Sequence, residues 1–157
     1  MEHAIQRRLD ELGHVLPRVA TPKHSYVPSV RVHDLAYFSG KVPSPGFGAH
    51  GKLGADLDTA TGYEAARSCA LHALSQVEAD LGLENIARVV KLNGYVACDP
   101  AFEDQPQVIN GASDTLVEVL GDRGTHARTA VGVAALPGNW PVEIELVVQL
   151  KGTANGR

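Results

Sequence analysis

The sequence predicts an α+β domain in which two helices pack on one face of a sheet. Segments with strand alternation and segments with helical periodicity follow one another in the order helix, β-β, α, β, α, β-β. The 157 residues, 44% of them hydrophobic, suit a single domain with a sizeable core. Charged residues make up 20% of the chain, close to the average for globular proteins.

The amino-terminal third is predicted to hold a short helix and a hairpin. Residues 2–12 have helical periodicity and are followed by a glycine, and residues 14–25 contain two prolines and are expected to form an extended connector. Alternating side chains then predict strands at 30–32 and 35–38, joined by a short His-Asp turn.

A long glycine-rich loop over residues 40–58 separates the hairpin from the first long helix. Loops of this length in compact domains are often functional or partly mobile, yet no nucleotide-binding spacing occurs here. Asp58 or Thr59 is a suitable N-cap for a helix that ends near Leu81, before a glycine. One buried face is expected from residues at helical spacing: Tyr63, Ala66, Ala70, Leu74, Val77 and Leu81.

The second half of the chain supplies three strands and another helix. A strand is predicted at 88–98, a helix at 103–120, and two closing strands at 128–135 and 142–150. The first of these strands is expected to bury one set of side chains: Val90, Leu92, Val96 and Cys98. Both faces of the closing strands contain apolar or small residues, so the second face of the sheet needs a cover, and self-association is the simplest one.

Charge and composition exclude several classes of function. The formal net charge is −4 and the basic residues are scattered, so no nucleic-acid partner is expected. No apolar run could span a bilayer and the amino terminus lacks a signal-peptide core, so we expect a cytoplasmic protein without a membrane partner. Cys69 and Cys98 are expected to be buried free thiols, and no metal-ligand spacing or cofactor motif is present.

The ordered motifs resemble one known family. HARTAVGVAALPGNWPVEIEL at 126–146 is similar to the carboxy-terminal signature of the YjgF/Rid family, also called the L-PSP or reactive-intermediate deaminase family. Tyr26, the FSGKVP segment at 38–43 and Asn110 are further matches, although the interval from Asn110 to Arg128 is one residue longer than in the family.

The resemblance implies a chorismate-mutase-like fold and a homotrimer with sites in the clefts between subunits. It covers the chain from Tyr26 almost to its end, so we predict a family domain at 26–151, preceded by an amino-terminal helix and linker at 1–25 and followed by a disordered tail at 152–157. The amino-terminal extension and an enlarged glycine-rich loop at 44–56 indicate a longer branch of the family.

The resemblance also implies roles for individual residues. Arg128 would grip the carboxylate of a 2-imino acid or its enamine, because a guanidinium can donate two parallel hydrogen bonds to a carboxylate. Glu143 would help to activate water for metal-free hydrolysis to a 2-keto acid and ammonia, with Glu145 ranked second. The residues expected to line the cleft are Tyr26 and Asn110 by their side chains and Gly40 and Ala130 by their backbone.

Other interpretations of the same residues stay open at this point. Arg128 could form a structural ion pair with Glu143 or Glu145 across the strands. The cleft could bind a small carboxylate without catalysis, with the loop at 44–56 selecting a larger ligand. The ribonuclease or translation-inhibitor role implied by one of the family's names is disfavoured by the acidic balance. His126 is interpreted as a solvent-facing loop residue.

Overall fold

Five strands form one mixed sheet. They are β1 (Ser29–Val32), β2 (Leu35–Phe38), β3 (Ile86–Ala97), β4 (Ala127–Val133) and β5 (Val142–Leu150). Their order across the sheet is β1-β2-β5-β3-β4, and all neighbours are antiparallel except the parallel pair β3 and β4. The computed structural model describes residues 3–152, so the tail predicted at 152–157 lies, apart from its first residue, outside the described residues.

Three helices complete the α+β architecture. They are α1 (Ala4–Glu11), α2 (Thr59–Leu81) and α3 (Gln105–Leu120). The Asp58 carboxylate accepts a hydrogen bond from the Thr61 backbone N–H at 2.8 Å, which caps α2, and Gly82 ends that helix with φ of 77°. The predicted order of elements and the pair of helices on one sheet face are therefore confirmed. None of the described helices is long and apolar enough to cross a membrane.

The core lies between the sheet and the helix pair α2 and α3. Burial alternates along β5, where Val142, Ile144, Leu146 and Val148 are buried. Most of the stripe predicted on α2 is also buried. Tyr63 is an exception: it is half-buried and its hydroxyl donates to the Asp114 carboxylate at 2.7 Å, which raises the pKa of Tyr63 to about 12.

The predicted buried set of β3 is wrong at one position. Val89, not Val90, is buried next to β5, because the pairing register shifts between Val89 and Lys91. Such a bulge places one extra residue in the strand and changes the face on which the preceding side chains lie. Leu92 and Val96, beyond the bulge, are buried as predicted.

The second sheet face, here called the open face, is exposed or half-exposed. Its side chains come from all five strands and include Val30, Tyr37, Tyr95, Val131, Glu143 and Glu145. Tyr37 and Val131 are 49% and 41% exposed, so the apolar character predicted for this face is present, mixed with carboxylates. A face of this composition needs a partner surface more than a wholly polar face does.

The short helix α1 packs against α3 and the turn that precedes β3, and it buries Ile5 and Leu9. The Ile5 backbone N–H donates to the Glu84 carboxylate at 2.7 Å. The two cysteines are buried free thiols, as predicted. Burial raises the pKa of the Cys69 thiol well above its ordinary value.

Candidate functional site

Arg128 lies near the start of the edge strand β4 and its side chain points to the helix side of the sheet. In register it stands beside the buried Leu92 of β3. Its Nη1 donates to Asn110 Oδ1 at 2.7 Å and to Ser113 Oγ at 3.3 Å, and both acceptors lie on α3, one helical turn apart. The helix therefore holds the guanidinium by one of its terminal nitrogens.

The Nη1 bonds leave the other edge of the Arg128 guanidinium available. Within residues 3–152, the hydrogen bonds of this side chain use Nη1 only. Nε–H and one Nη2–H point the same way, so they can donate two parallel bonds to one carboxylate. Ala130 lies two residues further along β4 and therefore on the same face of the strand. We call Arg128, Asn110 and Ala130 the arginine half-site.

Glu143 lies on the open face and packs against the backbone of Gly40. A Cβ added at Gly40 would overlap the Glu143 Oε1 atom, so the close approach requires glycine there. The two segments are joined by backbone hydrogen bonds in both directions between Lys41 and Ile144, at 2.7 and 3.0 Å. The carboxylate is thus placed beside the Gly40 backbone by sheet-like pairing.

The chain beyond Gly40 is also anchored to α2. Lys41 Nζ donates to Gln76 Oε1 at 2.9 Å, and the His72 ring nitrogen Nδ1 donates to the Val42 carbonyl at 2.9 Å. Burial lowers the pKa of His72, so its ring favours the neutral form. These contacts hold the segment that follows Gly40 against α2.

The two carboxylates on β5 differ in their surroundings. Glu145 Oε1 accepts hydrogen bonds from Asn93 Nδ2 at 2.9 Å and from the Tyr95 hydroxyl at 2.8 Å. Within the described residues, no side-chain hydrogen bond contributes to the pKa of Glu143. Burial, and then the negative charge of Glu145, raise the pKa of Glu143. A carboxyl group with a raised pKa is better suited to exchange protons near neutral pH, which supports ranking Glu143 before Glu145.

Tyr26 precedes β1 and is 52% exposed. Its ring stacks on His24 with ring centroids 6.4 Å apart. Two residues later the chain meets the end of β2, where the Ser39 backbone N–H donates to the Pro28 carbonyl at 2.9 Å. Tyr26 therefore lies at the same end of the sheet as Gly40 and Glu143. We call these three residues the glutamate half-site.

The two half-sites do not meet within one chain. Arg128 is in register with Leu92 of β3, and Glu143 is in register with Tyr95. Leu92 and Tyr95 are three residues apart, so they point to opposite faces of the sheet. The structural ion pair between Arg128 and a β5 glutamate, considered from the sequence, is therefore wrong for a single chain. The arginine is bonded to α3.

Two residues beside Arg128 were missed from the sequence. No sequence motif indicates Ser113, and the prediction that His126 faces solvent is wrong. His126 is half-buried, with Nε2 at 2.9 Å from Ser113 Oγ and Nδ1 at 2.6 Å from the Gly124 carbonyl. The spacing of Asn110 and Ser113, one helical turn, is the only signal that could have indicated a shared role.

The glycine-rich loop at 44–56 is docked on the turn before β5. The His50 ring lies against Trp140 with centroids 4.1 Å apart, and its Nδ1 is 3.1 Å from the Gly138 carbonyl. The Gly51 N–H donates to the Asn139 carbonyl at 2.9 Å. Among the described residues, no group of three His, Cys, Asp or Glu side chains is placed to hold a metal ion.

Comparison with known sequences gives a match over most of the chain. The family model described as Endoribonuclease L-PSP matches residues 18–150. Protein TCP17 of Trypanosoma cruzi is 43% identical over 150 residues, which cover 93% of this chain and 94% of that protein. Because the family match begins at residue 18, inside the predicted linker, the comparisons do not support an amino-terminal extension of 25 residues.

Solved structures show the same fold. Protein Atu1372 of Agrobacterium tumefaciens, whose function is unknown, is 45% identical with a TM-score of 0.86, and the match covers 94% of this chain and 92% of that one. A proposed endoribonuclease from Shewanella oneidensis MR-1 is 30% identical with a TM-score of 0.88, covering 93% and 99%.

Proposed function

This chain belongs to the family described as endoribonuclease L-PSP, and on that premise we propose that it hydrolyses small 2-imino acids, or their enamine forms, to 2-keto acids and ammonia. The reaction takes place in the clefts between the subunits of a homotrimer. No cofactor takes part. A cytoplasmic location stays a prediction from the sequence.

The observation that carries this proposal is the orientation of the Arg128 guanidinium. Its Nη1 is bound by Asn110 and Ser113, and the Nε and Nη2 edge is left for a ligand. A planar pair of donors matches the two oxygens of a carboxylate better than it matches any neutral group. The proposed substrates all carry a carboxylate next to the reacting carbon, so the grip fixes that carbon in place.

The trimer is supported by the separation of the two half-sites. Arg128 and Glu143 face opposite sides of the sheet, so one chain cannot bring both to the same small ligand. The partly apolar open face provides a surface for a second copy of the chain. A cyclic trimer can place the arginine half-site of one subunit against the glutamate half-site of the next in each of three equivalent clefts.

The chemistry needs a placed water molecule and one proton relay. Glu143 in its ionised form takes a proton from the water as the oxygen adds to the imine carbon and the C=N π electrons move to nitrogen. The carboxyl group then returns that proton to the amino nitrogen. This gives a carbinolamine, and Glu143 next carries the proton of its hydroxyl group to the same nitrogen. The C–N bond then breaks with its electron pair leaving on ammonia, and the carbonyl of the keto acid forms. The raised pKa of Glu143 supports each of these proton transfers.

Two other functions are each favoured by one observation: endoribonuclease activity and carboxylate binding without turnover. The family name and the Shewanella relative point to endoribonuclease activity. The Arg128 edge alone would also support a carboxylate-binding protein without turnover. The chain has a net charge of −4 and lacks the patch of basic residues that ribonucleases use to bind phosphates, which favours the deaminase.

The function is tested by offering both substrate classes to one preparation. Ammonia release is followed from 2-imino acids generated in place by an amino acid oxidase, and cleavage of a single-stranded RNA is followed in parallel. Faster ammonia release without RNA cleavage supports the deaminase. RNA cleavage alone would replace it with the nuclease, and a thermal shift with keto acids but no turnover would leave the binding role.

The acid limb of the pH profile is expected to move when Glu145 is changed. Activity needs ionised Glu143, so it falls as the pH drops through the raised pKa of that group. Burial is the larger cause of the raised value and the Glu145 charge the smaller one. Glu145→Gln removes the charge while keeping an oxygen for Asn93 and Tyr95, so the acid limb of kcat/KM should move to lower pH.

The matched control for this shift is Glu64→Gln, which removes a carboxylate from an exposed position on α2. Its acid limb should coincide with that of the wild type. A limb that stays in place in Glu145→Gln, or that moves to higher pH, would remove Glu143 from the role of base.

A further inference from the structure

We propose that Ser113 and His126 are positioning residues that fix the orientation of the Arg128 guanidinium for the incoming carboxylate. This inference rests on the proposed function for the identity of the ligand. Three successive hydrogen bonds, here called the line of contacts, support it. They join Arg128 Nη1 to Ser113 Oγ at 3.3 Å, Ser113 Oγ to His126 Nε2 at 2.9 Å, and His126 Nδ1 to the Gly124 carbonyl at 2.6 Å.

The chemistry of the atoms sets the direction of every bond in this line. The Gly124 carbonyl can only accept, so His126 Nδ1 carries a hydrogen. In the neutral ring Nε2 is then the acceptor, and the Ser113 hydroxyl donates to it. The hydroxyl oxygen keeps its lone pairs for Arg128, whose Nη1–H donates to it. The Gly124 carbonyl thus sets the direction of three successive hydrogen bonds: Arg128 donates to Ser113, Ser113 to His126, and His126 to Gly124.

The line restricts the rotation of the guanidinium. With only the Asn110 bond, Arg128 could turn about the Nη1–Oδ1 contact and point its free edge elsewhere. The second acceptor, on the same helix face, uses the other Nη1–H. Both Nη1 hydrogens are then committed, so the Nε and Nη2 edge has one preferred direction. Such preorganisation lowers the entropy that a ligand loses on binding.

The tautomer of His126 is the first test, and it needs no substrate. In ¹⁵N-detected spectra of the full-length protein at a pH where the ring is neutral, we expect the protonated-type shift on Nδ1 and the unprotonated type on Nε2. This is the less common tautomer of a free histidine side chain, so the result is not a default. A hydrogen on Nε2 would overturn the proposal, because Ser113 would then have to turn its donor away.

A pair of substitutions at His126 separates its two contacts. His126→Gln places an amide oxygen near the position of Nε2 and can still accept from Ser113. His126→Asn reaches only the position of Nδ1 and keeps the Gly124 contact. We expect the asparagine variant, and Ser113→Ala, to raise the KM for an imino acid about five- to tenfold, since one ordered hydrogen bond is lost. Their kcat should change less than about twofold, and the glutamine variant should stay near the wild type.

The order of the Arg128 Nε–H vector, measured by ¹⁵N relaxation, gives a readout that a general loss of stability would not produce. It should fall in His126→Asn and recover in His126→Gln. Equal order in the two variants would overturn the positioning role. If the wild type turned over no imino acid and bound no keto acid, the proposed function would fail, while the tautomer and the Arg128 order would still decide whether the line of contacts holds the arginine.

Discussion

Replacing Arg128 by alanine is expected to lower kcat/KM for 2-imino acids by about 30-fold to several thousandfold, because truncating one partner of a desolvated charge pair costs about 2–5 kcal/mol. The loss removes both parallel hydrogen bonds to the carboxylate and leaves Asn110 and Ser113 without their donor. Arg128→Lys keeps the charge but offers no planar pair of donors, so it should recover only part of the loss.

The matched control for this loss is Arg31→Ala. Arg31 is exposed on the opposite edge strand and donates to the His33 carbonyl at 2.8 Å. Removal of this guanidinium should leave kcat/KM within about twofold, as expected for a surface substitution away from the site. Light scattering on each variant checks that the oligomer is retained. An Arg128→Ala protein with the activity of the wild type would refute the carboxylate grip.

Mixed oligomers extend the Arg128 experiment to the arrangement of the subunits. Arg128→Ala and Glu143→Gln proteins should each be inactive alone. When equal amounts are unfolded together and refolded, a cleft is intact if its arginine comes from a Glu143→Gln subunit and its glutamate from an Arg128→Ala subunit. Random assembly of a cyclic trimer gives that combination in about one cleft in four, so about a quarter of wild-type activity should return. No recovery, where wild-type protein regains its activity after the same refolding, would contradict a cleft shared between two subunits.

Local patterns in the sequence were sufficient for most of the fold. The N-cap at Asp58, the glycine stop at Gly82 and the alternation along β5 are each determined within a few residues, and all appear in the structure. The bulge at Val89 and Val90 was not predictable, because it depends on the register that β3 takes against β5. Periodicity is a property of one strand, whereas register is a property of two.

The residues of the candidate site could also be predicted from the sequence, but their arrangement could not. The sequence could identify Arg128 and Glu143 as the residues with suitable chemistry. It could not show that they face opposite sides of the sheet, since that depends on which strands are neighbours and on their register. The prediction that His126 faces solvent is wrong because a loop position carries no information about the Ser113 hydroxyl, which lies on a helix thirteen residues earlier in the chain.

Gly111 is expected to be among the glycines whose replacement is most damaging, contrary to the usual preference of helices for alanine. It lies inside α3, where alanine normally stabilises a helix by about 1 kcal/mol over glycine. Here an added Cβ would overlap the Tyr63 carbonyl oxygen, and it would lie 2.8 Å from the Tyr63 carbonyl carbon and 3.2 Å from the Arg67 nitrogen. These are backbone atoms of α2, which cannot move aside as the end of a side chain can.

Gly111→Ala must therefore push α2 and α3 apart along their contact. We expect the variant to lose about 3 kcal/mol of unfolding free energy, as overpacked core substitutions do. For a chain of this size, that corresponds to a fall in Tm of roughly 6–12 °C. Thermal unfolding is compared at one protein concentration, because the Tm of an oligomer depends on it. Gly46→Ala is the control, since a Cβ there meets nothing within 4 Å.

The same displacement should reach the site. Asn110 is the neighbour of Gly111, and Ser113 follows two residues later. The position of α3 relative to the sheet therefore decides whether both acceptors reach Arg128. Folded Gly111→Ala protein should therefore bind carboxylates more weakly than Gly46→Ala protein at the same temperature. A Tm at or above that of the wild type would show that the two helices are not in backbone contact. It would also remove the reason to expect weaker carboxylate binding from this substitution.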